Sequence, residues 1–284
     1  MFDKVEAFYR PSSAREALKL LLKGRGEAHI VAGATDLAVH PARPVRFLID
    51  LTHAGLNYVR VKGRSVQIGA ATTMTDLEES PEIRGLACGI LARAAATCGS
   101  IQIRNVATIG GNLVNGSPAA DLAVTLLALD ATVILATSGG RQKIAIADYV
   151  GRQFADSLLT EIVVPALPAR RSGWSFQKLG RTAVDISLVS VAAGLHLDGK
   201  RRVVSARIAL GAVAPAPMRA LQAESLLVGK TPDGALIAEA AALVERAVQP
   251  ISDVRASADY RREMSAVLAR RALEECAVLA GYKS

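Results

Sequence analysis

The sequence predicts an α+β fold built as more than one compact unit, on three observations. Before residue 165, apolar runs of strand length are interspersed with helix-capping signals. The stretch Pro165 to Gly173, with its prolines, arginines and closing glycine, then changes the composition as a linker does. Beyond it come three strand-like runs and after them three helical ones, the order of a sheet covered by helices on one face. With 284 residues and 51% hydrophobic content, the chain has enough material for two or three cores.

The elements follow in order. Ser13 and Glu16 form a capping box, and Ala14 to Lys23 carries Leu18, Leu21 and Leu22 on one face before Gly24 ends the helix. His29 to Ala32 and Phe47 to Leu51 are short apolar runs that read as strands and complete a first unit of about 1–56. Val59 to Val61 and Val66 to Ala70 flank the polar turn Lys62 to Ser65, a β-hairpin that opens a second unit of about 57–170. Thr75 and Glu78 read as a further capping box, Gly85 to Cys98 as an alanine-rich helix, and Ala131 to Ala136, Lys143 to Ile146 and Glu161 to Val164 as strands. In the last unit, 174–282, Phe176 to Leu179, Val189 to Leu197 and Arg202 to Leu210 predict a three-stranded antiparallel sheet with Asp198-Gly199 as a hairpin turn. Leu221 to Val228, Ala235 to Val248 and Ala258 to Leu279 predict its helices.

Composition excludes several classes of function. No run approaches the ~18 apolar residues of a membrane span, and the start, Met1 to Pro11, lacks the apolar stretch of a secretory signal, which leads to the expectation of a cytoplasmic protein. Cys88, Cys98 and Cys276 are scattered, and His29, His40, His53 and His196 lie far apart, so no metal site and no iron–sulfur cluster is expected from this chain. The net charge of +8 is spread along the sequence, with only five Phe and five Tyr available for stacking; nucleic acid is not expected, and a basic surface suits acidic partner proteins or anionic cofactors.

Two glycine turns carry the chemistry. In Thr108-Ile109-Gly110-Gly111-Asn112, the glycine pair lets backbone N–H groups converge on an anion, with Thr108 and Asn112 adding side-chain hydrogen bonds. Ser117-Pro118 reads as an N-cap and first position of a helix, whose free donors and dipole favour a diphosphate. Asp121 then either holds a sugar hydroxyl or simply complements the first turn of that helix. The earlier turn, Ile30-Val31-Ala32-Gly33-Ala34-Thr35-Asp36-Leu37, repeats the device after a buried strand, and two such turns can clamp a dinucleotide from two sides. The G-x-G-x-x-G of a Rossmann site is absent.

The run Ile101 to Asn112, continued by Ser117-Pro118 and Asp121, resembles the flavin-binding signature of the molybdopterin dehydrogenase family, to which the medium subunits of carbon monoxide dehydrogenase and the FAD domain of xanthine dehydrogenase belong. Ile30 to Leu37 looks like the family's first FAD loop, with Ala34 where a second glycine is frequent. The likeness continues through Leu158 to Pro165, Phe176 to Lys178, Arg181 to Val191, Gly211 to Pro215 and Ser252 to Ser257, and so covers effectively the whole chain. The resemblance implies a two-part FAD-binding domain of the vanillyl-alcohol-oxidase type followed by a C-terminal flavoprotein domain. It implies FAD contacts from Ile30 to Leu37, Thr108 to Asn112, Asp121, Leu159 and Lys178, the lysine bringing positive charge to the flavin or a phosphate and Leu159 packing on the ring. A lysine in that strand is otherwise an ordinary solvated residue. At Cys98 the purine-oxidising branch has an aromatic side chain, and Val184 to Ile186 resembles the segment that controls access to the flavin.

By the same resemblance the chain is the electron-transfer subunit of a heterotrimer, with [2Fe-2S] clusters in a small subunit and molybdopterin in a large one, forming a dimer of heterotrimers. NAD, a quinone or oxygen is the acceptor, and no side chain here is expected to act as a catalytic acid or base. Two rivals remain at this level: a stand-alone flavin oxidase of the vanillyl-alcohol-oxidase superfamily, and a flavin-free assembly module.

Overall fold

The computed structural model describes residues 5–39 and 46–282. Met1 to Lys4 and His40, which entered the reading of the N-terminus and of the histidines, lie outside them. The first unit comprises β1 (Ala7–Tyr9), α1 (Ala14–Lys23), β2 (Ala28–Val31) and β3 (Phe47–Asp50). Its strands pair in the order β1-β3-β2, all parallel, around a core of Ala17, Leu18, Ile49 and Leu51. Ser13 caps α1 by accepting from the Glu16 amide, while the Glu16 carboxylate accepts from Ser12 instead of Ser13.

The second unit runs through β4 (Val59–Lys62), β5 (Ser65–Gly69), α2 (Met74–Glu79), α3 (Pro81–Gly85), α4 (Ile90–Ala96), α5 (Ile101–Arg104), α6 (Ile109–Asn115) and α7 (Asp121–Ala128). It closes with β6 (Thr132–Thr137), β7 (Gly140–Ala145), α8 (Ile146–Tyr149) and β8 (Leu158–Pro165). The sheet is antiparallel in the order β4-β5-β8-β6-β7, with the long β8 at its centre.

Four expectations change in this unit. The capping box is Thr73 with Asp76, and Thr75 instead donates its hydroxyl to Asn105, because pairing of Thr73 with Thr108 fixes where α2 starts. Gly85 to Cys98 is not one helix: Cys88 and Gly89 take left-handed conformations that break it, and α4 begins at Ile90. Ile146 opens α8 and does not end a strand. Ser117-Pro118 forms a turn, with the Ser117 hydroxyl accepting from the Ala119 amide, and α7 starts three residues after Pro118, at Asp121.

The third unit contains β9 (Ser172–Leu179), β10 (Val189–Leu197), β11 (Val203–Gly211) and β12 (Met218–Arg219), then α9 (Leu221–Leu227), α10 (Gly234–Ala247) and α11 (Ala258–Leu279). The predicted three strands are joined by the short β12, giving the antiparallel order β12-β11-β10-β9. α11 packs across β9 and β10 and against α10. Helix α7 joins the second and third units: all eight of its residues are buried, and it packs on α4 as well as on β10 and β11. A helix without a polar face belongs inside, so Asp121 at its N-terminus starts its chemistry out of water.

Candidate functional site

The residues 106–110 run beside 70–74 and spend their backbone groups there. The Met74 amide donates to Ala107 O at 2.9 Å, that of Ile109 to Thr72 O at 3.0 Å and that of Gly110 to Ala70 O at 2.8 Å. Thr108 caps α6, its hydroxyl accepting from the Gly111 amide at 3.1 Å. The first-turn donors of this segment are therefore used inside the protein, which corrects the expectation that the glycine pair aims them at an anion. Gly110 is needed for packing instead: a Cβ there would run into the Ala70 backbone.

The earlier turn is the one with donors to give. Among the described residues, none of the six consecutive N–H groups from Ala32 to Leu37 has an acceptor. Ala34 takes the left-handed conformation, φ +56°, the kind of backbone turn that builds anion-binding nests of successive amides. Gly33 brings this loop against the second one, since a Cβ at Gly33 would overlap the Val106 carbonyl oxygen.

Between the two loops lies a cavity of about 390 Å³, within the range of ~300–1,000 Å³ usual for small-molecule sites. Ile30 to Leu37, Thr108, Gly110, Gly111, Asn112 and Leu159 all line it. Ile109 does not; its side chain is fully buried in the core behind. Sequence reading missed Leu51, Met74, Val114, Asn115, Gln153, Ser157 and Leu158 in the wall. Asn115 lies one helical turn beyond Asn112, a spacing that marks a shared face; Val114 shares that helix and Ser157 and Leu158 sit beside Leu159, whereas Leu51, Met74 and Gln153 arrive from distant segments with no local signal. Leu158 and Leu159 are presented by a bulge in β8: Ile134 pairs with Glu161 and Leu135 with Leu159, leaving Thr160 between them.

Asn112 supplies the most direct sign of a missing ligand, because its Oδ1 is buried in the fold without a hydrogen-bond partner. Such an atom costs about 1–3 kcal/mol unless something else satisfies it.

Asp121 and Lys178 lie outside the lining of this cavity and meet each other. Lys178 Nζ donates to Asp121 Oδ2 at 2.9 Å and to Thr97 O at 2.8 Å, and the Ser187 hydroxyl donates to Asp121 Oδ1 at 2.6 Å. The side chains of the pair are only 10% and 5% exposed, which removes the reading of Lys178 as a solvated strand residue. Nearby Cys98 is held as a neutral thiol: burial, with the Asp121 charge adding to it, pushes its pKa up to about 12.

The residues fit FAD on these grounds: six consecutive unspent amides in a loop that lines the cavity, an orphaned amide oxygen, and apolar walls from Leu51, Met74, Leu158 and Leu159. Residues 2–167 match the family described as the FAD binding domain in molybdopterin dehydrogenase, and residues 174–276 match the carbon monoxide dehydrogenase flavoprotein C-terminal domain. The glyceraldehyde dehydrogenase medium chain of Sulfolobus acidocaldarius is 32% identical, over 98% of this chain and 100% of that one. The carbon monoxide dehydrogenase medium chain of Afipia carboxidovorans is 34% identical, over 94% and 95%. A solved carbon monoxide dehydrogenase from Hydrogenophaga pseudoflava superposes with a TM-score of 0.92 at 30% identity, covering 97% of this chain and 98% of its counterpart. Unspent amides, orphaned oxygen and end-to-end likeness agree, and the chain belongs to the FAD-binding subunits of the molybdopterin dehydrogenase family, the oxidoreductases of the carbon monoxide and xanthine dehydrogenase type.

Proposed function

We propose that the chain holds FAD with its diphosphate on the Ala32 to Leu37 amides and its ring system toward Leu159 and Lys178, and that it passes electrons within a heterotrimeric molybdenum hydroxylase. The observation that carries this reading is the meeting, on one cavity, of the unspent amides and the orphaned Asn112 oxygen. Contacts from Ile30 to Leu37, Thr108 to Asn112, Asp121, Leu159 and Lys178 belong to the proposal, with Ile109 serving from behind the wall.

Bound FAD supplies the exchange between one-electron and two-electron carriers. The protein's own residues position and tune it. Lys178 has spent two donors on Thr97 and Asp121, and an ammonium has three, so one N–H remains for the cofactor, with a charge that favours its electron-rich form. Asp121 is committed to Lys178 and Ser187, which argues against its serving as a general base.

A small [2Fe-2S] subunit and a large molybdopterin subunit are the proposed partners, in a dimer of heterotrimers, with NAD, a quinone or oxygen as acceptor and a cytoplasmic location. That relatives are named as medium chains of dehydrogenases supports an assembly. The division into 1–56, 57–170 and 174–282 belongs to the proposal, and the presence of three separate sheets supports it. Gentle purification of the full chain, with absorbance and native mass measured together, tests the reading. We expect a yellow protein with one FAD per chain and two further subunits; a colourless protein that refuses added FAD overturns it, and rapid alcohol oxidation by the chain alone favours a stand-alone oxidase.

A further inference from the structure

Arg261, on the first turn of α11, is buried with its side chain 3% exposed, and it lines no part of the cavity. Its guanidinium is a hub. Nη1 donates to Leu188 O at 2.7 Å and to Ala212 O at 3.3 Å, and Nη2 donates to Asp253 Oδ1 at 2.8 Å. Both carbonyls lead to Asp121. Leu188 follows Ser187, whose hydroxyl holds Asp121 Oδ1. Ala212 donates its own N–H to Pro118 O at 2.7 Å, and Pro118 lies in the turn that leads into Asp121. One cation thus fixes the segment before β10 that supplies the hydroxyl and the turn that leads into the carboxylate.

The arrangement is costly for a residue that only fills space. A buried guanidinium needs acceptors from several directions, and here Nε still has none. Asp253 is itself locked for the task, its Oδ1 also accepting from the Arg255 amide at 2.8 Å and the Ala256 amide at 3.2 Å. Asp253 in turn holds Arg261 in place, and a planar fork can bridge two carbonyls and a carboxylate where a lysine offers one point charge.

We infer that Arg261 is a positioning residue for the flavin site: through Leu188 and Ala212 it clamps Ser187 onto Asp121 and so fixes the Lys178 ammonium. The inference rests on the proposed contact between Lys178 and FAD. Without the clamp, Ser187 withdraws from Asp121, the carboxylate turns, and Lys178 loses the geometry in which its third N–H is available. Arg261 acts without touching the cofactor.

The test uses the full chain and the variants Arg261→Met, Arg261→Lys and Ser187→Ala, with Arg262→Met as a surface control. Three readouts are compared: FAD dissociation constant, the flavin absorption band, and acylation of the Lys178 amine in FAD-free protein, followed by peptide mass. We expect R261M and S187A each to weaken FAD binding about tenfold, as for loss of one charge-assisted hydrogen bond. Both should shift the absorption band in the same direction and expose Lys178 to acylation; R261K should fall between, and R262M should match the parent. S187A removes one hydroxyl and keeps the test open if R261M does not fold. Parent-like affinity, spectrum and Lys178 protection in S187A or in folded R261M overturn the positioning role. A parent that takes up no FAD fails at the underlying reading, visibly before any variant is compared, and removes the positioning role with it.

Discussion

Ala34 and Asn112 show how single residues carry the site, and each yields a measurable expectation. At φ +56°, Ala34 carries a left-handed strain of roughly 1–2 kcal/mol, against roughly 0.5–1 kcal/mol of extra unfolded-state entropy for glycine. Ala34→Gly should therefore raise stability by about 0.5 kcal/mol on these terms, read as a higher melting temperature with FAD binding kept. A lower melting temperature would show that the methyl group has packing worth more than the strain. Asn112→Ala should weaken FAD binding by about 1–2 kcal/mol while raising the melting temperature of the FAD-free chain, because the substitution removes a buried oxygen that has no partner within the fold. Equal FAD affinity in parent and variant would remove Asn112 from the site. The sequence pointed to both residues, since a loop glycine neighbour and a polar residue after a glycine pair are local signals. It misplaced the donors: whether an N–H is free depends on what lies opposite, and Thr72 and Ala70 lie 37 and 40 residues before the Ile109 and Gly110 amides they receive.

Among the elements, α11 depends on a cluster at its far end. Glu275 accepts from Arg93 at 2.8 Å, Ser175 at 2.5 Å and Gln177 at 2.8 Å, so one carboxylate ties α11 to α4 and β9. Burial works to raise its pKa, but the bonds from Ser175, Arg93 and Gln177 outweigh burial and hold it below the usual carboxylate value. A lowered folded-state pKa gives stability that is fully present above the unfolded value of about 4.3 and is lost as pH falls through the folded value. Glu275→Gln should hence destabilise the protein at pH 7, and the gap from the parent should close as the pH drops below about 4 in chemical denaturation series. A gap of constant size across that range would assign the effect to packing. The sequence pattern located α11 at 258–279, as observed, yet nothing in its sequence marks Glu275 as its anchor, because all three partners come from other elements.

At the level of the molecule, part of the +8 charge is gathered by the fold. The Arg171 carbonyl accepts from the Leu197 amide, which sets the exposed Arg170 and Arg171 beside the Lys200 to Arg202 turn at one end of the C-terminal sheet. Exposed like charges so gathered favour an acidic partner and lose that advantage to salt, with a screening length of about 8 Å at physiological ionic strength. Association of the chain with the proposed partner subunits should slow by about tenfold or more between low salt and ~0.5 M, followed by stopped-flow or light scattering. A salt-independent rate would place the docking face elsewhere. No helix among the described residues is long and apolar enough to cross a membrane.

By itself the sequence determined what depends on neighbours within a few turns: the capped helix α1, the strand β10 at Val189–Leu197, the long α11, the mixed α+β class and the position of two glycine loops that line one cavity. Only the tertiary structure decided how those loops divide the work. Among the described residues the first leaves its amides without acceptors, while the second spends its own against 70–74 and presents Asn112. It also decided that Lys178 and Asp121, 57 residues apart, form a buried pair with Ser187, and that Arg261 holds that pair from a distance. Local patterns specify backbone conformation through propensity and caps, but the fate of a hydrogen-bonding group is set by whichever distant segment the packed core brings to it.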